Sequence, residues 1–245
     1  MWYEKNYWKT GFKSTLYDLL TPESYLDSMR QSLSLLPDKK EQDVWDAGCG
    51  SGLLLLFLSR VSKGKVNYFG TDLLSAGLEK VKLRAKSLGI SDSVTCLQND
   101  ITEKAPFKEG SMDAVIAHFS TYTIRDDNKR RQALSNMFDV LKPGGMLIIS
   151  NPSKDYNASK IIVESAALIH TREGLWNAMV KSFFIYPFTK WLGLNFIQKQ
   201  LRSDKWKAYT EEELKEELQQ SGFEIGATQT VYAGSAYLMC AVKPG

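Results

Sequence analysis

The sequence has few cysteines and no long apolar stretch. Three cysteines stand at wide spacings among 245 residues, without a CxxC pair. This usage is typical of free thiols in a reducing compartment. The longest apolar run, Leu53–Leu58, is far below the ~20 residues that a membrane-spanning helix needs. The first residues, MWYEKNYWKTGFK, are charged and aromatic rather than signal-like, so a cytoplasmic location is expected.

A large excess of one charge is also missing. Thirty-one Lys and Arg residues face 28 Asp and Glu residues, which leaves a net charge of +3. That surplus is too small to predict a nucleic-acid partner. With 43% hydrophobic and 24% charged residues, the composition excludes fibrous and disordered classes and predicts a globular domain.

Short β-branched or aromatic runs alternate with longer helical stretches over residues 43–150, a pattern typical of a parallel sheet covered by helices. The predicted strands are 43–47, 66–72, 94–100, 112–120 and 145–150, and the predicted helices are 53–62, 75–88 and 128–141. The last helix is expected to stop at Lys142-Pro143-Gly144-Gly145, followed by a turn.

The pattern changes after the fifth strand, because residues 151–209 show no strand. A helix follows over 210–222, where Thr210 and Glu213 have capping-box spacing and Gly222 marks the end. Two strands joined near Gly234 then predict an antiparallel hairpin.

These patterns predict a single α/β domain: a Rossmann-like, doubly wound, mostly parallel seven-stranded sheet with an antiparallel C-terminal hairpin and a helical insertion. Its expected parts are an N-terminal helical cap (1–40), a ligand-binding core (43–150), a helical insertion or lid (151–209) and a C-terminal helix with the hairpin (210–245).

The most informative motif lies where the first strand ends. Asp46 is followed by Gly48, Gly50 and Gly52, and glycine at these positions lets the backbone turn tightly and approach a ligand at the next helix. The spacing is G-x-G-x-G, and Leu53 stands where a dinucleotide fingerprint requires its third glycine. A nicotinamide-dependent oxidoreductase is therefore disfavoured, although a purely structural turn stays open.

Acidic residues follow the next two strands, Asp72 after the second and Asp100 after the third. The carboxyl ends of parallel strands form the ligand edge of such a sheet, so these carboxylates are placed to accept ribose hydroxyls and a purine amine. Asp72 could instead cap a helix. Asp100 could be a turn acid, with the neighbouring Asn99 binding the amine, whereas Asp113 at the opposite edge is interpreted as structural.

Four motifs in this order, DAGCGSG, GTDLLSAGLEKVKLRAK, QNDITEKAPFKEGSMDAVIA and LKPGGMLIIS, resemble those of class I S-adenosylmethionine-dependent methyltransferases of the small-molecule group. The resemblance implies S-adenosylmethionine as the cofactor. It implies methionine contacts from Gly48, Gly50 and Gly52, with Asp46 near the amino group.

The same resemblance implies ribose binding by Asp72 beside Leu73, and adenine contacts from Asp100 and Ile101. His118 and Phe119 fall where the family contacts the methionine moiety through main chain and packing. No metal site is predicted.

Two histidines are candidates for a catalytic base, His118 and His170, because an imidazole can accept a proton near neutral pH. For His118 the alternative is a packed ring at a strand end, and His170 lies inside the insertion. Methyl transfer depends mainly on holding an acceptor in line with the methyl group in a dry site. An obvious catalytic residue is therefore not required.

The acceptor is expected to be small. HFSTY stands at 118–122 where amino-methylating enzymes of DNA or protein glutamine carry Asn-Pro-Pro-aromatic, and no Pro-Cys pair exists for cytosine-carbon methylation. Residues 172–209 hold nine aromatic and seven basic residues but two acids. The stretch is either core or the lining of an apolar pocket, and its lysines also suit peripheral membrane contact.

The predicted function is methyl transfer to an apolar or aromatic small molecule, such as a quinone precursor, a lipid or a natural-product intermediate. The alternative is a non-catalytic binding partner that keeps the fold. Intact Gly48, Gly50, Gly52 and Asp72 weigh against that alternative.

Overall fold

The computed structural model describes residues 16–61 and 65–245. Seven strands form one sheet in the order β3-β2-β1-β4-β5-β7-β6. Strands β1 to β5 are parallel, whereas β7 is antiparallel to both β5 and β6. The strands are β1 Glu41–Ala47, β2 Lys65–Asp72, β3 Val94–Gln98, β4 Met112–His118, β5 Leu141–Pro152, β6 Glu224–Val231 and β7 Ala236–Val242. The predicted α/β fold with a C-terminal hairpin is confirmed.

Helices cover both faces of the sheet. They are α1 Leu16–Leu19, α2 Glu23–Ser34, α3 Leu53–Val61, α4 Ser75–Leu88, α5 Asp127–Val140, α6 Ala158–Glu173, α7 Leu175–Val180, α8 Tyr186–Phe188, α9 Asn195–Arg202 and α10 Glu211–Gln220. A 3-10 turn spans Ser91–Ser93, and π-helical segments span Lys181–Ile185 and Thr189–Leu194. None of the helices described is long and apolar enough to cross a membrane.

The central strands are apolar on both sides because helices pack on each face. Val44 of β1 belongs to the core under α3 and α4, and the next residue, Trp45, belongs to the core under α5 and α10. Alternation of this kind is what a strand buried on both faces requires. The order reverses between β1 and β4, and open α/β sheets bind ligands at the carboxyl side of such a switch point.

The predicted turn at 142–145 is wrong, because β5 already begins at Leu141 and includes these residues. Lys142 donates to Asp113 at 2.7 Å, and the amide of Gly144 donates to the carbonyl of Lys243 at 2.9 Å. These contacts hold the segment in the sheet, where an irregularity in the β4 to β5 pairing accommodates it. They also give Asp113 the structural role expected for it.

Two strand ends also differ from prediction, since β3 stops at Gln98 and β4 at His118. Asp100 and Phe119 therefore lie in loops at the ligand edge. Strand β5 instead continues to Pro152, because residues 150–152 pair with β7.

The helical character of the outer segments agrees with the sequence. The capping box is present, with the Glu213 amide donating to Thr210 Oγ1 at 3.2 Å and the Thr210 amide to Glu213 Oε2 at 2.9 Å. Helices α1 and α2 occupy part of the N-terminal segment. The aromatic residues Trp2, Tyr3, Tyr7, Trp8 and Phe12 lie outside the described residues.

Candidate functional site

The loop after β1 depends on its glycines. Gly48, Gly50 and Gly52 all adopt left-handed backbone conformations, with φ of +82°, +53° and +75°, which only glycine adopts at little cost. A Cβ on Gly48 would also lie 2.5 Å from the Cβ of Ser120. The amides of Gly48 and Cys49 both donate to the carbonyl of Thr71 at 2.9 Å. The loop between β1 and α3 is thus fastened to β2.

Gly77, which the sequence analysis did not single out, supports this loop from α4. A Cβ on Gly77 would overlap the carbonyl oxygen of Gly50. Glycine lowers the stability of a helix. A glycine in the first turn of α4 therefore indicates, from the sequence alone, that another part of the backbone packs closely there.

Asp72 joins the glycine loop to the start of α4. Its Oδ2 accepts from the amide of Gly50 at 2.9 Å, and its Oδ1 from the amide of Leu74 at 2.8 Å. Burial raises the pKa of Asp72, and these two hydrogen bonds oppose that rise. Each carboxylate oxygen keeps a second acceptor position for a ligand hydroxyl. Asp72 is not the helix cap, because Leu74 occupies that position.

Asp46 is a buried acid below the loop, with 3% of its surface exposed. The hydroxyl of Tyr68 donates to its Oδ2 at 2.6 Å. Burial, assisted by the charge of Asp72, raises the pKa of Asp46 to about 7. A cationic ligand group beside these two carboxylates would restore the charged form of Asp46.

The loop after β3 contains the residues expected at the adenine. Asp100 Oδ1 accepts from the amide and hydroxyl of Thr102 at 2.9 and 2.8 Å, which are the bonds of a turn acid. The neighbouring Asn99 has its Oδ1 buried without a hydrogen-bond partner. Ile101 packs into the core beneath α5, and Leu73, next to Asp72, is largely exposed.

His118 is enclosed by serine hydroxyls. Its Nε2 lies 3.2 Å from Ser28 Oγ, and its Nδ1 lies 3.2 Å from Ser150 Oγ and 3.4 Å from Ser32 Oγ. Burial lowers the pKa of His118 to about 3, so the ring is neutral at physiological pH. These contacts favour the packing interpretation of His118 over a general base, because the ring ties α2 to β4 and β5.

Phe119 turns the chain sharply after β4. Its φ is +52°, a strained value for a residue with a side chain, and its amide donates to the Ser150 carbonyl at 2.9 Å. Its ring centroid lies 5.4 Å from those of Tyr25 and Tyr232, and 6.3 Å from that of Tyr122.

A group of rings, termed here the aromatic box, surrounds this position; it consists of Tyr25, Phe119, Tyr122, Tyr156 and Tyr232. Tyr232 and Ala233 sit in the turn between β6 and β7, both with φ of +57°. The pKa of Tyr25 is raised by burial and by the charge of Asp46.

Sequence reasoning missed the aromatic box. Its members come from α2, the loops after β4 and β5, and the C-terminal hairpin, and no spacing in the sequence relates them. His170, the other candidate base, is exposed in the last turn of α6 and stays a prediction.

Comparison with known proteins agrees with this geometry. Residues 44–145 match the family model described as a methyltransferase domain. A carboxy-S-adenosyl-L-methionine synthase of Desulfotalea psychrophila is 33% identical over 129 residues, 51% of each chain. A ubiquinone/menaquinone biosynthesis C-methyltransferase of Haemophilus ducreyi is 30% identical over 116 residues, 47% of this chain and 43% of that protein. The chain therefore spans about half the length of the curated relatives it matches.

Solved structures share the fold across most of the chain. An S-adenosylmethionine-dependent methyltransferase from Aquifex aeolicus superposes with a TM-score of 0.62 at 17% identity, covering 93% of this chain and 96% of that one. Magnesium protoporphyrin IX methyltransferase from Synechocystis gives 0.59 at 15% identity, covering 90% and 84%.

The fold is that of the class I methyltransferases. Residues 44–145 match the methyltransferase-domain model, and solved S-adenosylmethionine-dependent methyltransferases share the fold, so the predicted similarity to this class is confirmed.

Replacing Gly77 by alanine tests the packing of the glycine loop. The added methyl group must displace the Gly50 carbonyl, so we expect binding of S-adenosylhomocysteine to weaken by about tenfold or more, since small misplacements in binding sites are costly. Isothermal titration calorimetry measures this change. Ser75→Ala, an exposed change in the same helical turn, should bind normally, and an unchanged affinity for Gly77→Ala would show that the loop tolerates the displacement.

Asp46 makes the stability of the ligand-free protein depend on pH. Its pKa is about 7 when folded and near 3.8 when unfolded, so its contribution to the free energy of unfolding decreases as pH rises between these values. We expect Asp46→Asn to stabilise the free protein by about 1–3 kcal/mol at about pH 8, and by less near pH 5. Urea unfolding at both pH values measures the difference. A stabilisation that does not change with pH would contradict the assignment.

Proposed function

We propose that the protein transfers a methyl group from S-adenosylmethionine to a small, apolar or aromatic acceptor. The observation that carries this proposal is the grouping of a left-handed glycine loop, buried Asp46 and Asp72 at the switch point of the sheet. The family match over the same residues supports it.

The residues present suit this cofactor. Two buried polar atoms at the ligand edge, Ser120 Oγ and Asn99 Oδ1, have no hydrogen-bond partner among the described residues, and buried polar atoms normally find one. Asp46 and Asp72 form an acidic environment for a ligand that carries an ammonium and a sulfonium group. The bound cofactor would supply the electrophilic methyl group.

We assign the cofactor contacts as the sequence predicted them, with one addition. Gly48, Gly50, Gly52 and Asp46 would hold the methionine part, with His118 and Phe119 nearby; Asp72 and Leu73 would hold the ribose; Asp100 and Ile101 would hold the adenine. Asn99 is the addition, because its free Oδ1 can accept from the exocyclic amine.

The aromatic box is the proposed acceptor site. The Tyr25 ring lies 5.0 Å from that of His118 and 5.4 Å from that of Phe119, at the end of β4. The rings of Tyr25 and Phe119 would exclude water and orient a flat or apolar molecule. Two protonatable neighbours of Phe119, His118 and Tyr25, stay neutral, since burial lowers the pKa of His118 and raises that of Tyr25. Positioning rather than proton removal is therefore the proposed contribution of these residues.

Relatives named as ubiquinone/menaquinone biosynthesis C-methyltransferases support a quinone precursor as one member of this acceptor class. We also propose a cytoplasmic location with peripheral membrane contact through residues 172–209. The alternative function, a non-catalytic binding partner, would keep cofactor binding without transfer.

Asp72→Asn tests the cofactor site. The change removes the charge that accepts from Gly50, and we expect S-adenosylmethionine binding to weaken by about 1.5–3 kcal/mol, the range for hydrogen bonds to charged groups. Calorimetry provides the measurement. Asp92→Asn, in an exposed turn before β3, is the matched control, and equal affinities for the two variants would remove Asp72 from the site.

Transfer itself is tested with methyl-labelled S-adenosylmethionine and a cell extract. After the reaction, products are separated into organic-soluble, aqueous, protein and nucleic-acid fractions. Label in the organic fraction is expected. Label in protein or nucleic acid would overturn the acceptor class, and cofactor binding without any transfer would favour the non-catalytic alternative.

A further inference from the structure

Five large aromatic side chains of the insertion are exposed to solvent. They are Trp176 (75% exposed), Phe183 (71%), Phe184 (70%), Phe188 (55%) and Trp191 (72%), and they are termed here the aromatic face. Scattered exposed apolar residues are normal, but so many large rings within sixteen residues are typical of an interaction site.

The segment that carries the aromatic face is itself well anchored. Ala178, Tyr186, Thr189 and Leu194 are all buried, and the hydroxyl of Thr189 donates to the carbonyl of Leu20 at 2.9 Å. The segment thus packs on the protein through a different set of side chains. Its exposed rings are not needed for that packing, so they are available for a partner.

Charge distinguishes among partners for this face. Seven basic residues but two acidic ones occur in residues 172–209. Arg172 is paired with Glu23 and Asp27. In contrast, Lys190, Lys199 and Arg202 form no ion pair with any acidic side chain in the described part of the chain.

Exposed tryptophan and phenylalanine with unpaired cations is the composition of surfaces that bind at the lipid headgroup boundary. We infer that the aromatic face docks on an anionic phospholipid bilayer. Its rings enter the boundary between headgroups and acyl chains, and Lys190, Lys199 and Arg202 meet headgroup phosphates. This inference narrows the proposed contact of 172–209 to named residues.

Docking would also give the proposed acceptor site access to apolar molecules dissolved in the bilayer. Only this consequence rests on the proposed function. Membrane binding by the face needs neither cofactor nor transfer. Its failure is therefore distinguishable from failure of the methyltransferase proposal.

Vesicle co-sedimentation of the full chain tests the inference. We expect binding to phosphatidylcholine vesicles that contain about 30% phosphatidylglycerol, and weaker binding to phosphatidylcholine alone, because the surface potential attracts cations. A variant with Trp176→Ser, Phe183→Ser, Phe184→Ser and Trp191→Ser should bind about tenfold or more weakly, since buried apolar area determines interfacial binding. Lys190→Glu with Lys199→Glu should remove the preference for anionic vesicles.

Matched controls lie on α4, where Leu83 and Lys86 are exposed. Leu83→Ser and Lys86→Glu should bind vesicles like the wild type, and far-UV circular dichroism of every variant reports whether the fold is intact. Absence of wild-type binding to anionic vesicles would overturn the inference. Equal losses of vesicle binding in the α4 controls would also overturn it. A third contradicting result would be a wild-type dimer in sedimentation velocity that the four-serine variant abolishes, because the face would then join two copies of the chain.

Discussion

The shape of the ligand edge depends on hydrogen bonds that the glycine loop donates to β2. The Thr71 carbonyl accepts two loop amides, and the Asp72 carboxylate accepts a third from Gly50. The Arg84 guanidinium adds a bond to the Ser51 carbonyl at 2.7 Å. With Gly77 packed beneath, the loop can keep its left-handed glycines and still present its backbone to a ligand.

Burying the ionised form of Asp46 close to Asp72, beside the glycine loop, is electrostatically unfavourable. Asp46 is buried with Asp72 nearby, and its pKa of about 7 means that the free protein holds it partly protonated. A cationic ligand offsets that cost by restoring the ionised carboxylate. The same interaction that strains the free protein thus favours a sulfonium cofactor. The charge of Asp46 also raises the pKa of Tyr25, a member of the aromatic box.

The sequence predicted the core well because its signals are local. The predicted helix 75–88 and the predicted capping box at Thr210 agree with the structure, and the glycine motif follows the carboxyl end of β1. The turn predicted at 142–145 is wrong because long-range contacts with Asp113 and Lys243 hold this stretch in the sheet. The aromatic box could not be predicted, since only the tertiary fold brings Tyr25 and Tyr232 together.

In the insertion, the sequence does not predict which side chains are buried. Its composition predicted aromatic and basic character, but not which rings face inward. The π-helical segments within it interrupt the 3.6-residue period from which helix faces are read. Tyr186 is consequently core, whereas Phe183 and Trp191 are exposed.

A crystal structure of the protein with S-adenosylhomocysteine would test the central claim most directly. The account predicts ribose hydroxyls within hydrogen-bond distance of the Asp72 carboxylate, the amino group of the ligand near Asp46, and its sulfur facing the aromatic box. A ligand bound elsewhere, or a ribose that does not contact Asp72, would contradict it.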